Sequence, residues 1–434
     1  FELNQYLSAR DFVAVQGIVA GETAALVGEL EQGGADAIVA GGEKTPSNFD
    51  EVGNHAAFDL GTAYSTGTAG AAIALSTAAA NSANAQSSLS PRVEQHMVEP
   101  QLGERPFLHG VASGDPIPDS VILWTRVTPD ADAMPGSGLG EATRVEWEIA
   151  KDEGFGDVVK RGEVTTDAGQ DHTVHVDPHG LEPETVYFFR FKAQDKYSPI
   201  GRTKTAPALS ASPEELTFGV ASCANWESGF FNAYGDIAQR GRADQLDYMI
   251  FLGDYIYEYP QREYAGYGPV RLHHPAHEII SLEDYRIRLG RYRTDENLQA
   301  AHGALPWVVV WDDHEVANDN WREGAENHTE GEEGAFLDRR KAAMQAYFEW
   351  MPVRATNPSE QGHLYRSLTF GDLVELTMMD LRTYRDEQVR FGPRKMAAEG
   401  RTMLGSEQYN WLLNKIETSS AKWNMLGNSV MFSP

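Results

Sequence analysis

The second half of the chain alternates short apolar runs with longer segments of mixed polarity. The runs are LTFGVA, YMIFL, WVVVW, VELTMM and WNML, and the gaps between them are long enough for helices. Near-continuous apolar runs of this length are typical of strands that are covered on both faces. Their alternation with helical segments predicts an α/β domain over residues 214–434.

Residues 105–206 show a different pattern. Segments such as SVILWTRVTP, RVEWEIAKDEG and TVYFFRFKAQD alternate apolar and polar positions, and Gly, Pro or Asp lies between them. Period-two runs rich in Val, Ile, Trp, Tyr and Phe indicate antiparallel strands. About one hundred residues of such strands predict a β-sandwich of immunoglobulin-like or fibronectin-like size.

The first hundred residues match neither pattern. Residues 1–60 receive no function, although the apolar spacing in 11–32 predicts one amphipathic helix with Val15, Ile18 and Val27 near one face. Residues 61–104 are mostly Ala, Ser, Thr, Gly and Asn up to Ser90, which is typical of a linker. The stretch GAAIALSTAAANSANAQ also resembles the cleavage end of an export signal, and both interpretations stay open.

Polar residues follow each apolar run of the α/β segment. They are Cys223 after the first run, Asp254 and Tyr257 after the second, Asp312, Asp313, His314 and Asn320 after the third, Asp380 and Arg382 after the fourth, and Gly427 and Asn428 after the fifth. Ligands of open α/β sheets gather at the carboxyl ends of the strands. We therefore expect these residues to converge on one site.

The residue types suggest a metal site. Asp254 could bridge two cations, and a deprotonated Tyr257 would suit a hard ion such as ferric iron. The oxygen-rich segment around Asp313 suits calcium, magnesium or manganese, with His314 available as a donor to a phosphoryl oxygen. The alternatives are a solvated acidic loop and, for Cys223, a small buried thiol.

Charge narrows the classes of ligand. Lys and Arg number 36 against 64 Asp and Glu, which gives a net charge of −28 and argues against nucleic-acid binding. A phosphorylated ligand would need metal ions or clustered arginines. Arg382 and Arg286 are the candidate substrate-binding residues, although the run from Arg286 to Arg293 also fits a charged helix face. No apolar stretch reaches the ~18 residues of a membrane span.

Five longer motifs give the chain a family resemblance. They are FLHGVASGDPIPDSVILWTRVTP, FGVASC, FLGDYIYEY, WDDHEVANDNW and MMDLRTYR. With them the chain resembles the PhoD-type alkaline phosphatases, which are related to the calcineurin-like metallophosphoesterases and the purple acid phosphatases. The resemblance covers residues 105–434 and implies a β-sandwich followed by a four-layered α/β/β/α phosphoesterase domain.

The resemblance also implies a ferric ion and calcium. Cys223 and Tyr257 would bind the iron, Asp254 would bridge iron and calcium, and Asn320 and Asp313 would serve calcium. Asp254, Asp313 and His314 are the expected catalytic residues for hydrolysis of phosphate monoesters or diesters. Proteins of this type are exported, so a periplasmic or extracellular location is expected, although no twin arginine precedes the Ala/Ser-rich stretch.

One departure concerns the C-terminal side. Relatives carry a Gly-Asp-x-His motif beyond the position equivalent to NMLGNSVMFSP, where this sequence reaches Pro434. The resemblance therefore implies a phosphoesterase domain and a metal site that are incomplete in this chain. A phosphoric ester hydrolase is the leading hypothesis, and an inactive fragment or a non-catalytic calcium-binding surface protein is the alternative.

Overall fold

A computed structural model describes most of the chain from residue 103 onward and four strands before it. The described residues are 12–16, 24–31, 34–39, 61–62 and 103–430 without 267, 358–361 and 390–397. The strands of the first part are β1 (Phe12–Gln16), β2 (Ala24–Glu31), β3 (Gly34–Val39) and β4 (Gly61–Thr62). Most of the expected linker, residues 63–102, lies outside the described residues, so that prediction is not tested.

Regular structure then continues to the end of the described chain. The strands are β5 (Val111–Ile117), β6 (Ser120–Arg126), β7 (Thr143–Ala150), β8 (Val158–Thr166), β9 (Thr173–Val176), β10 (Val186–Ala193), β11 (Lys196–Tyr197), β12 (Gly201–Lys204), β13 (Glu215–Ser222), β14 (Tyr248–Leu252), β15 (Trp307–Val310), β16 (Arg366–Phe370), β17 (Val374–Met378) and β18 (Trp423–Asn428). The helices are α1 (Asn232–Arg242), α2 (Leu282–Tyr292), α3 (Glu296–His302), α4 (Phe336–Trp350) and α5 (Gly405–Thr418).

The central sheet has nine strands in the order β4-β3-β2-β13-β14-β15-β5-β6-β9. At its middle β13, β14 and β15 run parallel, and every residue of β14 and β15 is buried. These strands are three of the five apolar runs, and burial on both faces explains why they lack alternation.

A second sheet, ordered β1-β18-β17-β16, contains the other two runs. Phe370 of this sheet meets Tyr248 of the central sheet with ring centroids 4.7 Å apart, so the two sheets share one core. Leu412 and Ile416 of α5 pack beside Leu381 and Leu426, while Tyr234 of α1 packs against Trp307 on the other side. The predicted α/β/β/α layering is confirmed.

The sandwich forms between a five-stranded sheet and part of the central sheet. Strands β7, β8, β10, β11 and β12 make the five-stranded sheet, and its Phe189 and Phe191 share a core with Val111 and Leu123 of β5 and β6. The second layer of the sandwich is therefore continuous with the parallel strands of the central sheet. Gly114 permits this junction, because an added Cβ would lie 2.7 Å from the Trp307 carbonyl oxygen.

The predicted helix over 11–32 is wrong. The described part of this segment forms β1 and β2, and β2 pairs antiparallel with β13 from Ala24 opposite Ser222 to Glu31 opposite Glu215. β1 pairs in parallel with β18. Val and Ile favour extended backbone. The spacing of apolar residues suggested a helix, but it does not reveal that the edges of two sheets provide hydrogen-bonding partners for extended strands here.

Within the described residues, no helix has the length and apolar character needed to cross a bilayer.

Candidate metal centre

The ends of five strands meet at one place in the structure. Cys223 after β13 donates to Asp254 after β14, with Sγ and Oδ2 3.3 Å apart. Asp312 after β15 accepts from Arg382 after β17 at 2.6 Å and from Ser429 after β18 at 3.1 Å. The expected convergence is confirmed, although Ser429 makes the contact from β18 and Asn428 bonds the Val430 carbonyl instead.

The backbone at these strand ends is tightly turned. Cys223 and Asp254 adopt φ values of 59° and 57°, in the left-handed region that non-glycine residues seldom occupy. Gly253, which directly precedes Asp254, has φ 95°. A Cβ added to Gly253 would lie 2.3 Å from the Asp312 amide nitrogen, so only glycine allows this close approach to the end of β15. The strain is held by two backbone bonds, Cys223 N to Gly253 O at 3.0 Å and Ala224 N to Asp254 O at 2.8 Å.

Three acidic and basic side chains define the candidate cation position. One ligand atom from each of Asp254, Asp313 and His314 lies within 4.8 Å of the others, and all three residues are buried. Asp254 Oδ1 and Asn320 Oδ1 are buried without a hydrogen-bond partner among the described residues. Unpartnered buried oxygens are costly, and a coordinated cation would satisfy them.

Negative charge is in excess around this position. Burial raises the pKa of Asp254 well above its usual range, and Asp313 and Asp312 raise it further against the opposing effect of His314. Burial also raises the pKa of Asp312, to about 6, although Arg382 lowers it. Carboxylates that resist ionisation because they crowd one another are stabilised as anions by a bound cation.

His314 is oriented by a buried glutamate. Its Nδ1 lies 2.7 Å from Oε2 of Glu258, a fully buried residue that also accepts from the Asn318 amide at 2.6 Å and from Asn327 Nδ2 at 2.9 Å. The bond at Nδ1 leaves Nε2 as the ring nitrogen for which the described residues provide no hydrogen bond. Burial lowers the pKa of His314, but Glu258, Asp313 and Asp254 together raise it well above its usual range.

Cys223 and Tyr257 flank the same carboxylate. Tyr257 Oη lies 3.4 Å from Asp254 Oδ2, the oxygen that also accepts from the Cys223 thiol. Burial raises the pKa of both groups well above their usual ranges, and neighbouring acidic groups raise them further. The Tyr257 ring lies 4.3 Å from that of His314, so the candidate iron ligands and the histidine form one packed group.

Glu315 ties two strand ends together. Its Oε2 accepts from the amides of Asp254 at 3.1 Å and Asp312 at 2.9 Å, and its Oε1 accepts from the Tyr255 amide at 2.6 Å. The residue is 2% exposed and has no ion pair within the described chain. Burial raises the pKa of Glu315 to about 7, while hydrogen bonds from the Tyr255 and Asp312 amides act in the opposite direction.

The two candidate substrate arginines lie in different surroundings. Arg382 is buried among Asp312, Asp313 and Asp319, with nitrogen to oxygen distances of 2.6, 3.3 and 3.5 Å. Arg286 bonds Glu349 of α4 at 2.6 and 2.7 Å and the Gly169 carbonyl at 2.8 Å. The contacts described for Arg286 do not join it to the cluster, and its substrate-binding role stays a prediction.

Sequence reasoning assigned no role to Glu258, Glu315 or Ser429, and it considered Arg288 only as part of the arginine run that could orient an anionic substrate or form a charged helix face. Glu258 and Glu315 stand within the FLGDYIYEY and WDDHEVANDNW motifs, so their position beside the candidate ligands was a usable signal. Arg288, in the arginine run of α2, donates to the carbonyls of Tyr257 and of four residues in the following loop. The role of Arg288 depends on how the loop after β14 folds, and the periodicity of apolar residues does not predict the fold of a loop.

The fold and the candidate site place the chain in the metallophosphoesterase class. A family model described as PhoD-like phosphatase matches residues 218–434, and one for the PhoD-like phosphatase N-terminal domain matches residues 92–207. The chain belongs to the PhoD-like phosphatase family, which confirms the resemblance seen in the motifs.

Two similar proteins extend this comparison. Alkaline phosphatase D of Bacillus subtilis (strain 168) is 45% identical over 345 residues, which are 77% of this chain and 57% of that protein. A solved structure titled "Structure of PhoD" is similar with a TM-score of 0.71 and 43% identity, over 77% of this chain and 64% of that one. The chain thus spans about three fifths of the length of these relatives.

Proposed function

We propose that this chain hydrolyses phosphate esters at the candidate metal centre. The observation that carries the proposal is a pair of buried oxygens, Asp254 Oδ1 and Asn320 Oδ1, that find no hydrogen-bond partner in the described part of the chain and lie beside the crowded carboxylates. Membership of the PhoD-like phosphatase family supports the same activity, and the 45% identical relative is named an alkaline phosphatase. We extend the proposal to phosphodiesters on the motif resemblance alone.

The proposed cations are ferric iron and calcium. Cys223 and Tyr257 would bind the iron, with Asp254 as the bridging carboxylate, and Asp313 and Asn320 would serve calcium. The donors fit this division, because the thiol and phenol lie 3.3 and 3.4 Å from one Asp254 oxygen, and the other oxygen has no hydrogen-bond partner among the residues that the structure describes. Both protons would have to leave on iron binding, which a highly charged cation favours.

When bound, the cations would supply Lewis-acid chemistry by neutralising the phosphoryl oxygens and acidifying the attacking water. His314 would present Nε2 to a phosphoryl or leaving-group oxygen, because Glu258 holds Nδ1. Arg382 balances the charge of Asp312 and Asp313 and would orient the substrate from the same side. Asp254 is 3% exposed beside Tyr257, Cys223 and His314, and low exposure to bulk water would strengthen each of these interactions.

The location of the protein is a separate proposal. We infer that it is exported to the periplasm or the cell exterior, and this rests on the family resemblance alone. Fractionation of cells that produce the chain, with phosphatase activity followed in each fraction, tests the location.

The activity is tested with p-nitrophenyl phosphate and bis(p-nitrophenyl) phosphate. We expect turnover that a chelator abolishes and that iron with calcium restores, and we expect Asp254→Asn to lose it by a factor on the order of 10³. Asp171→Asn is the matched control, since Asp171 is also a buried aspartate but bonds Arg126 and the Trp350 indole. Turnover by Asp254→Asn within tenfold of the parent, or turnover that survives chelation, would reject the proposal.

A further inference from the structure

A pocket of about 560 Å³, lined by apolar as well as charged side chains, lies between α4 and the loop that follows β17. Arg340 and Lys341 of α4, Arg322, and Thr383 and Tyr384 of the loop line it. The volume falls within the range of small-molecule sites, roughly 300–1,000 Å³. We call this cavity the basic pocket.

The basic pocket concentrates positive charge in an acidic chain. Its lining has three Arg or Lys side chains against one carboxylate, Glu407, whereas the whole chain carries a net charge of −28. Arg322 is neutralised by Asp386 at 2.7 Å. Neither Arg340 nor Lys341 forms an ion pair with a described carboxylate, although the charge of Asp380 acts on Arg340, which donates to the Arg322 carbonyl. Two cationic groups are thus available to an anion.

The basic pocket adjoins the candidate metal centre along two stretches of chain. Arg322 lies two positions after Asn320, and Thr383 follows Arg382. Asp380 connects the two regions, because its Oδ1 accepts from the amides of Arg382 at 3.1 Å and Thr383 at 2.9 Å. The Thr383 hydroxyl is buried without a partner among the described residues. The lining of the basic pocket therefore begins one residue from Arg382 and two residues from Asn320 along the chain.

We propose that the basic pocket binds a second phosphate group of the substrate while the first is held at the metal centre. Arg340 and Lys341 would hold the second group, and the Tyr384 ring would cover the linking atoms. The preferred substrate is then a molecule with two phosphates separated by a spacer rather than a simple monoester. This inference rests on the proposed function, because it presumes that the first phosphate occupies the metal centre.

Inhibition of p-nitrophenyl phosphate hydrolysis tests the second phosphate site. The inhibitors are methylphosphonate and alkylene bisphosphonates of increasing spacer length, used with the metal-supplemented chain. At one spacer length we expect the bisphosphonate to bind at least about tenfold more tightly than methylphosphonate, because it forms additional hydrogen bonds to charged groups. The double change Arg340→Ala with Lys341→Ala should remove that gain and leave the KM for p-nitrophenyl phosphate within about twofold.

Arg161→Ala is the matched control, because Arg161 is an exposed arginine on β8 of the sandwich. It should keep the full gain. The proposal would be overturned if no bisphosphonate binds more tightly than methylphosphonate. It would also be overturned if the double variant keeps the tighter binding. If inorganic phosphate binds the pocket in the presence of chelator while the bisphosphonates show no gain, the pocket holds free phosphate, and the proposal is also wrong.

Calorimetry separates this inference from the proposed function. Titration of the metal-loaded chain with the same phosphonates measures binding without turnover. A bisphosphonate gain that the double variant loses would support the basic pocket even if p-nitrophenyl phosphate is not hydrolysed. Equal affinities for mono- and bisphosphonates would reject the pocket even if hydrolysis is fast. Circular dichroism of the variants confirms that a lost gain does not come from unfolding.

Discussion

Glu315 gives the sharpest test of how the strand ends are held together. Its carboxylate accepts three backbone amides, from Asp254, Tyr255 and Asp312, and so links the end of β14 to the end of β15. Glu315→Gln keeps one oxygen and can retain the two amides that share Oε2. The new side-chain NH₂ would then face the Tyr255 amide, and two donors cannot bond each other.

The magnitude follows from the number of amides that lose an acceptor. One buried donor left unsatisfied costs about 1–3 kcal/mol, so we expect Glu315→Gln to lower the free energy of unfolding by about 2 kcal/mol. Glu315→Ala leaves all three amides without an acceptor and creates a cavity. We expect it to lower the free energy of unfolding by about 4 kcal/mol or more. Both variants should also weaken calcium binding, by about tenfold for Gln, because Asp254 and Asp312 lose their common anchor.

The assay pairs urea unfolding with calcium titration at about pH 8.5, where Glu315 is ionised. Glu349→Gln is the matched control, since Glu349 is a poorly exposed glutamate that bonds Arg286 away from the centre. It should lose stability and keep its calcium affinity. The reasoning is refuted if Glu315→Gln binds calcium as tightly as the parent, or if Gln and Ala cost the same stability.

Three further results are expected. The iron-loaded protein should show a visible charge-transfer band that Tyr257→Phe removes; a colourless protein with one iron per chain would exclude phenolate ligation. Cys223 should resist alkylation until a chelator removes the metal, whereas a thiol that stays unlabelled in the folded, chelated protein is not a ligand. Burial lowers the pKa of His109, His273 and His302 well below the usual range, so each should cost about 1.4 kcal/mol of stability per pH unit as pH falls below about 6.5, where only the unfolded chain gains the proton. Urea unfolding at several pH values should show a shallower slope for His302→Gln than for the parent, and equal slopes would contradict the pKa assignment.

The parallel strands and their convergence could be predicted from sequence because each rests on local pattern. β14 and β15 are short, fully apolar and followed at once by Asp254 and Asp312, and strand ends of one parallel sheet must lie side by side. The helix predicted over 11–32 was wrong for the opposite reason, because the segment forms β1 and β2 through distant contacts. Their extended form depends on pairing with β18 and β13, which lie far along the chain.

The positions of Glu258 and Glu315 beside the candidate ligands are visible in the sequence, but the partners of these two residues are not. Glu258 and Glu315 act through backbone and imidazole contacts with partners 56 to 61 positions away, which residue type and spacing do not reveal. The continuity of the sandwich with the central sheet depends on one close approach at Gly114. In each case the deciding contact joins segments whose local patterns are unremarkable.

Metal content is the most direct test of the central claim. The chain is equilibrated with iron and calcium, desalted, and analysed for both elements beside Asp254→Asn and the control Asp171→Asn. The proposed function predicts that the parent and Asp171→Asn retain both metals and that Asp254→Asn loses both together, because Asp254 would be the bridging carboxylate. Retention of both metals by folded Asp254→Asn would contradict the account.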